Sequence, residues 1–271
     1  MTVTERAGIR DAGRVVVKVG SSSISGPNTH QIGPLVDALA AAHSRGTEIV
    51  LVSSGAIATG MPFLQLDSRP TDLATQQAAA AVGQNVLIYR YQESLRRFGI
   101  VAGQVLLTAG DLENATSRSN AQRAMERLLG LRILPIVNEN DTVATHEIRF
   151  GDNDRLAALV SILVKADALV LLSDVDALYT KPPSEAGAEP IHEVPWGDAL
   201  NGITFGDIGS AGVGTGGAQT KVSAARLAAE SGAGVLVTST GNVEAALGGA
   251  TMDGRPIGTW FVPRPQSTGE R

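Results

Sequence analysis

The stretch Arg132-Ile-Leu-Pro-Ile-Val-Asn-Glu-Asn-Asp141 decides the fold. It starts as an apolar run typical of a buried strand and ends in the acidic and carboxamide side chains of Asn138 to Asp141. A second polar run, Gly151-Asp-Asn-Asp-Arg155, leads into an apolar segment with helical spacing at 156–164. Because α/β sheets bind ligands outside the carboxyl ends of their strands, this pattern predicts a binding platform between a strand and a helix.

Strand-like and helix-like stretches alternate along the chain. Strands are predicted at 15–19, 48–52, 101–107, 133–137, 168–172, 235–238 and 259–262. Helices are predicted at 31–44, 74–97, 120–129, 153–165 and 219–230. This alternation indicates a mainly parallel sheet covered on both faces, so the predicted fold is α/β, a three-layer α/β/α sandwich. Segment 181–217 is rich in Gly and Pro and is predicted to be a functional loop.

Length and composition bound the possible functions. We expect one domain over residues 14–263, with an N-terminal extension at 1–13 and a disordered tail at 264–271. The net charge of −5 is spread along the chain, which argues against a nucleic-acid partner. No cysteine is present, so disulfides are excluded. No apolar run reaches the roughly 20 residues of a membrane helix, so we expect no membrane partner and a cytoplasmic location.

Two strand ends are followed by small-residue turns. Lys18 interrupts an apolar strand just before Gly20-Ser-Ser-Ser23, where backbone amides can approach a phosphate. A lysine that snorkels from an edge strand would leave the same pattern. Val52-Ser-Ser-Gly-Ala-Ile57 offers hydroxyls and amides to an anion, although an ordinary strand–helix turn can have this composition.

A glycine-rich stretch, 209–217, precedes the last long helix and Lys221. Free amides at the helix start and a nearby cation suit a phosphate, whereas a flexible surface loop is the simpler interpretation. Gly212 to Gly217 fits G-x-G-x-x-G, but a dinucleotide site needs a strand directly before it, which argues against a dehydrogenase. Asp174 ends an apolar run and could line a nucleotide cleft or cap a helix.

Two lysines, two phosphate-type turns and a carboxylate cluster able to hold Mg²⁺ together favour phosphoryl transfer. The combined motifs resemble the amino acid kinase family and, within it, the members that phosphorylate a glutamate side chain. The resemblance spans about 14–262 in the family's order and rests on segments 16–20, 52–58, 76–84, 103–108, 137–144, 150–154, 172–174 and 214–221. Such a combination is far more specific than any single motif.

The resemblance implies transfer of the γ-phosphate of ATP to the side-chain carboxylate of L-glutamate with Mg²⁺, the first step of proline biosynthesis. By position, Lys18 and Lys221 would neutralise the phosphates and Asp152 would orient both lysines. The glutamate-binding residues would be Ser54, Asp141 and Asn153. The ATP-binding residues would be Lys18, Ser173, Asp174, Thr215, Gly216, Gly217, Ala218, Gln219, Thr220 and Lys221. The carboxylate nearest Mg²⁺ would be Asp154.

The family resemblance also implies feedback inhibition by proline and assembly as a homodimer or homotetramer. Two positions depart from the family pattern: Ala218 stands where Met is usual, and Ser21 stands where Thr is common. We expect both to alter packing more than chemistry. Many relatives carry a C-terminal PUA domain, which we expect this chain to lack.

Two other interpretations remain open. Another amino acid kinase, acting for example on N-acetylglutamate or aspartate, would share most of these motifs. Asp141 argues against an acetylated substrate because its carboxylate suits a free ammonium group. A non-catalytic sensor of amino acids or nucleotides could use the same fold, but it would not need charges placed on a transferring phosphate.

Overall fold

A computed structural model of the chain describes residues 3–144, 153–200 and 217–265. It confirms the predicted three-layer α/β/α sandwich. The strands are β1 Arg14–Val19, β2 Glu48–Ser53, β3 Ala102–Leu107, β4 Leu134–Glu139, β5 Ala168–Ser173, β6 Leu178–Tyr179, β7 Pro190–Ile191, β8 Glu193–Val194, β9 Gly234–Ser239, β10 Thr251–Met252, β11 Arg255–Pro256 and β12 Thr259–Phe261.

The α-helices are α1 Ile32–Ser44, α2 Ala56–Gly60, α3 Leu73–Arg96, α4 Ala109–Glu113, α5 Ala115–Gly130, α6 Asn153–Leu163, α7 Ala218–Glu230 and α8 Val243–Leu247. Short 3-10 helices lie at Arg6–Asp11, Ser21–Ser23, Gly26–Gln31, Met61–Leu64 and Thr240–Asn242. None of the helices within the described ranges is long and apolar enough to cross a membrane.

The main sheet has eight strands in the order β3-β4-β2-β1-β5-β9-β12-β8. The strands from β3 to β9 in this order run parallel to their neighbours, and β12 is antiparallel to β9. All their carboxyl ends therefore lie on one side of the sheet, which we call the carboxyl edge. Lys18 on the central strand β1 pairs in register with Val52 of β2 and Leu171 of β5.

The sheet is covered on both faces. Buried side chains of α1, α3 and α8 pack with Val15 and Val17 on the first face. Buried side chains of α5, α6 and α7 pack with Val16 on the second face. Because side chains alternate along a strand, Lys18 lies on the second face, with α6 and α7.

Segment 1–13 was predicted to be an extension, and from Val3 onward the structure shows it packed against the sandwich. Val3 and Ile9 are buried in the core of the first face. The Arg6 guanidinium donates to the carbonyl of Ile257 at 2.8 Å. Gly234 has no space for a side chain, since a Cβ there would lie 2.2 Å from Trp260 Cη2 and 2.7 Å from the Val3 carbonyl oxygen.

The predicted loop 181–217 contains regular structure in its described part. The short strand β7 pairs with β6, and β8 adds an outer strand to the main sheet beside β12. Two residues are too few to produce a period in the sequence, so these strands could not be recognised. Residues 201–216 lie outside the described part of the chain.

Helices α2 and α3 pack backbone against backbone. A Cβ on Gly60 would lie 1.9 Å from the Ala79 carbonyl oxygen, and a Cβ on Gly83 would lie 1.8 Å from the Ala56 carbonyl oxygen. Only glycine permits such an approach. Since α2 starts directly after the turn that follows β2, this packing fixes the turn at the carboxyl edge.

Candidate active site

Three charged side chains from three different elements meet at the carboxyl edge. Lys18 Nζ of β1 lies 2.5 Å from Asp154 Oδ1, and Lys221 Nζ of α7 lies 3.3 Å from Asp154 Oδ2. Asp154 is in the first turn of α6. All three are buried: Lys18 is 3% exposed, Lys221 6% and Asp154 0%. The carboxylate therefore holds both ammonium groups at the sheet edge.

These three groups carry one net positive charge in a site from which water is largely excluded. Burial of charges costs free energy, and an ion pair offsets that cost only when its geometry is good. Attraction of a negative ligand is correspondingly stronger here than in water. Thr220 Oγ1 also lies near the carboxylate, 3.2 Å from Asp154 Oδ2. The cluster is suited to a phosphate group.

Asn153, the neighbour of Asp154, is held by a chain of buried carboxamides. Its Nδ2 donates to the Ser53 carbonyl at 2.7 Å and to Asn138 Oδ1 at 2.8 Å. Asn138 Nδ2 in turn donates to Gln84 Oε1 of α3 at 2.5 Å. Both Nδ2 protons of Asn153 are thus used within the protein, so its Oδ1 is the side-chain atom that can serve a ligand, as an acceptor.

The turns after β1 and β2 lie side by side. Gly55 has φ = +94°, which favours glycine. A Cβ at Gly55 would lie 3.4 Å from both Cα and Cβ of Ser21. Near them, a Cβ at Gly20 would be 3.9 Å from Lys18 Nζ. The small residues predicted to let a phosphate approach the backbone are therefore adjacent to the lysine.

Helix α7 begins at the carboxyl edge with Gly217 as its N-cap residue. The first N–H groups of a helix have no partner within the helix, and they give its N-terminus a partial positive charge. The Thr220 hydroxyl donates to the Gly217 carbonyl at 2.8 Å, and Lys221 is in the same turn. Ala218 and Gln219 start the helix. This end of α7 can bind an anion.

Ser173 is the last residue of β5, the strand next to β1, and Asp174 follows it. Ser173 Oγ donates to Asp174 Oδ1 at 3.0 Å, and Thr240 Oγ1 donates to the Ser173 carbonyl at 3.2 Å. The pair therefore lies at the carboxyl edge on the side of the sheet toward β9, where a nucleotide could extend from the lysines.

Asp141 follows β4 on the opposite side of Lys18 along the carboxyl edge. It lines a cavity of about 270 Å³ between α3, β3 and the end of β4. Most of the other polar lining residues are carboxamides: Gln84, Asn85, Gln104 and Asn140. Among the described residues of the lining, two are acidic, Glu139 and Asp141, and none is a lysine or arginine, so this part of the cavity favours a ligand with a positive group.

The structure brings Lys18, Asn153, Asp154, Thr220 and Lys221 into one cluster. Ser54, Asp141, Ser173 and Asp174 lie beside it on neighbouring strand ends. Asp152, Thr215 and Gly216 lie outside the described residues, so their predicted roles remain predictions. Among the described residues, no group of three or more His, Cys, Asp or Glu side chains is arranged to hold a metal ion.

Sequence reasoning missed two site residues, Gln84 and Asn138, as supports of Asn153. Both lie in segments that carried the family resemblance, but neither was given a role. For Asn138, a polar side chain at the end of an apolar strand was an available signal. For Gln84 the signal was weaker, because a glutamine in a long helix is usually exposed to solvent. Here Gln84 is only 9% exposed.

Relatives of known name are similar over the whole chain. A glutamate 5-kinase from Leifsonia xyli subsp. xyli is 71% identical over 100% of this chain and 98% of its own length. One from Clavibacter sepedonicus is 72% identical over 97% of this chain and 100% of its own length. A longer glutamate 5-kinase, from Thermobifida fusca, is 54% identical over 97% of this chain and 68% of its own length.

Solved structures share the fold at low sequence identity. A carbamate kinase from Giardia lamblia bound to AMP-PNP aligns with a TM-score of 0.66 and 16% identity, over 93% of this chain and 99% of its own. An isopentenyl phosphate kinase from T. acidophilum aligns with a TM-score of 0.62 and 16% identity, over 92% of this chain and 99% of its own. The sequence profile of the amino acid kinase family matches residues 13–239. The chain therefore belongs to the amino acid kinase family.

Proposed function

We propose that this protein transfers the γ-phosphoryl group of ATP to the side-chain carboxylate of L-glutamate, the first step of proline biosynthesis. The observation that carries the proposal is the buried cluster in which Asp154 holds Lys18 and Lys221 at the carboxyl edge. The substrate assignment is supported by relatives named glutamate 5-kinase that are 71% and 72% identical over nearly the whole chain.

The reaction needs little beyond positioning and charge neutralisation. A side-chain carboxylate oxygen of glutamate attacks the γ-phosphorus, an O–P bond forms, and the bond from phosphorus to the β–γ bridging oxygen breaks to release ADP. The carboxylate has an ordinary pKa of about 4.3 and is ionised at neutral pH, so no general base has to remove a proton. Lys18 and Lys221 neutralise the negative charge on the transferring group and on the leaving ADP.

Asp154 is the residue we assign to orienting both lysines. The sequence had suggested Asp152 for this role and Asp154 for Mg²⁺. Both oxygens of Asp154 already contact ammonium groups, which disfavours binding of a metal ion as a third cation on the same carboxylate. The orienting role of Asp152 and the metal role of Asp154 stay predictions.

ATP would lie along the start of α7 and the end of β5. The free N–H groups of the first turn of α7, together with Thr220 and Lys221, suit the phosphates, and Ser173 and Asp174 suit the nucleoside. Mg²⁺ in phosphoryl transfer is commonly bound through substrate phosphates and one or two carboxylates, so a dedicated protein cage is not required. When bound, Mg²⁺ neutralises phosphate charge.

Glutamate would lie across the ends of β2 and β4. The carboxylate of Asp141 suits the ammonium group of glutamate. A second N–H of that ammonium group can donate to Asn153 Oδ1. Ser54 follows β2 in the turn whose Gly55 lies against Ser21 of the turn after β1. In this arrangement the side-chain carboxylate points toward Lys18.

The test is an ADP-release assay with ATP, Mg²⁺ and one acceptor at a time: L-glutamate, N-acetyl-L-glutamate or L-aspartate. We expect turnover with L-glutamate alone. Turnover of N-acetylglutamate without turnover of glutamate would reject the substrate. Binding of ATP and glutamate by calorimetry without any ADP release would instead identify a non-catalytic sensor.

We further propose inhibition by proline, a homodimeric or homotetrameric assembly and a cytoplasmic location. A cyclic amino acid could compete for the carboxamide-lined cavity at Asp141. Assembly is supported by three exposed apolar residues beside the edge strand β3: Phe98, Val101 and Leu131. Glutamate titrations with added proline test the inhibition. Analytical ultracentrifugation tests the assembly, and fractionation of cells tests the location.

A further inference from the structure

Tyr91 reaches the substrate side of the site from within the core. It lies on α3, on the first face of the sheet, and its side chain is fully buried. Its hydroxyl lies 3.0 Å from Ser53 Oγ, at the last residue of β2. Lys18, Asp154 and Lys221 are on the second face, so Tyr91 cannot contact the phosphate cluster and acts only through the strand end.

The direction of this hydrogen bond follows from the proton count. Ser53 Oγ donates to the Ser54 carbonyl at 3.2 Å, and a serine hydroxyl has a single proton to donate. While Ser53 donates to the Ser54 carbonyl, the Tyr91 hydroxyl is the donor of the 3.0 Å bond and Ser53 Oγ is its acceptor. Burial raises the pKa of the Tyr91 phenol, so it keeps this proton throughout the neutral range.

Ser53 is held from both faces of the sheet. Its hydroxyl is bonded to Tyr91 on the first face, and its carbonyl accepts from Asn153 of α6 at 2.7 Å. The Ser53 hydroxyl also turns the Ser54 carbonyl toward itself. Because a peptide unit is planar and trans, the N–H of Gly55 then points the opposite way, away from Ser53.

We propose that Tyr91 is a positioning residue for glutamate, which sets the Ser54–Gly55 peptide by donating a hydrogen bond to Ser53 Oγ. This inference rests on the proposed function, because it assigns glutamate to the end of β2. It explains why a polar hydroxyl is kept in an otherwise apolar core cluster, where each buried polar group requires a partner.

The experiment is a double-mutant cycle with Tyr91→Phe, Ser53→Ala and the double variant, with Tyr89→Phe as the matched control. Tyr89 is on the same helix but is 63% exposed. We expect Tyr91→Phe to raise the KM for glutamate about three- to tenfold, the range expected for one hydrogen bond, while the KM for ATP stays within about twofold. Tyr89→Phe should leave both values unchanged.

The cycle distinguishes a role of the Tyr91 hydroxyl in positioning the Ser54–Gly55 peptide from a role of the Tyr91 ring in filling the core. In the Ser53→Ala background, Tyr91→Phe should add no further loss of glutamate affinity, because its acceptor is already gone. It should also recover part of the melting temperature lost in Ser53→Ala, since it removes a buried hydroxyl left without that acceptor.

Two outcomes would overturn the inference: an unchanged glutamate KM in Tyr91→Phe, or the same increase in both backgrounds. The wild-type protein is assayed first. If it shows no turnover of glutamate, the proposed function itself fails, which is distinct from either outcome for Tyr91.

Discussion

Lys18 on β1 and Lys221 on α7 share one carboxylate, because Asp154 places one oxygen 2.5 Å from the first ammonium nitrogen and the other oxygen 3.3 Å from the second. The two lysines are 203 positions apart in the sequence, and this shared carboxylate fixes the start of α7 next to the end of β1. The spacing of the two positive charges is set by this carboxylate. A preorganised pair of this kind can stabilise charge that develops in the transition state without reorganisation.

Asp154→Asn removes the charge that holds this pair. We expect kcat to fall by about 10²- to 10³-fold, as for the loss of a preorganised electrostatic contact. The free energy of unfolding should also fall, because loss of one partner of a buried ion pair costs about 3–5 kcal/mol. Steady-state kinetics and urea unfolding measure the two effects.

The matched control for this change is Asp253→Asn. Asp253 is exposed and has φ = +50°, a conformation that asparagine adopts readily, so neither quantity should change. A folded Asp154→Asn protein with the wild-type kcat would contradict the role of Asp154.

Lys221→Met tests whether the lysine of α7 acts in phosphoryl transfer. Turnover should fall at least about 10²-fold, since the charge on the transferring group loses one of its two cations. Glutamate binding, followed by isothermal titration calorimetry, should persist, because the glutamate site is built from the ends of β2 and β4. Arg226→Met removes a cation from the exposed side of the same helix and should leave turnover intact. Normal turnover in Lys221→Met would remove Lys221 from the mechanism.

The layers of the fold could be predicted because each main element carries its own local signal. β1, β5 and β9 are continuous apolar runs, as expected for strands buried on both faces, and they were predicted to within one residue at each end. Helices α1 and α6 likewise start within one residue of the prediction. The strand β8 was missed because two residues show no period, and its pairing partner β12 is distant in the sequence.

The partners within the site could not be predicted in the same way. The contacts of Asp154 and the bond from Tyr91 to Ser53 join residues on separate elements, so no spacing in the sequence encodes them. The family pattern could place Lys18 and Lys221 in a phosphate site, but which nearby aspartate contacts them depends on where helix α6 begins and how it is rotated.

Gly60→Ala and Gly83→Ala test the close packing of α2 on α3. Each added methyl group would meet a backbone oxygen at 1.8–1.9 Å, so the helices must separate. We expect each change to lower the free energy of unfolding by more than about 2 kcal/mol, and to weaken glutamate binding because α2 fixes the turn after β2. Gly130→Ala, at the end of α5 with nothing within 4 Å of the new methyl group, is the control. Equal melting temperatures for Gly83→Ala and Gly130→Ala would show that the two backbones are not in contact.

Ile9→Ala tests whether the segment before β1 belongs to the folded body. Ile9 is 1% exposed and packs in the core of the first face, so its truncation should cost about 2–5 kcal/mol of the free energy of unfolding. The neighbouring Arg10 is exposed, and Arg10→Ala should change that free energy by less than about 0.5 kcal/mol. Both variants should keep the wild-type kcat under conditions where they are folded, because Ile9 lies in the first-face core, on the opposite side of the sheet from the phosphate cluster. If urea unfolding gave the same midpoint for Ile9→Ala and Arg10→Ala, the segment would be an extension outside the core, as predicted from the sequence.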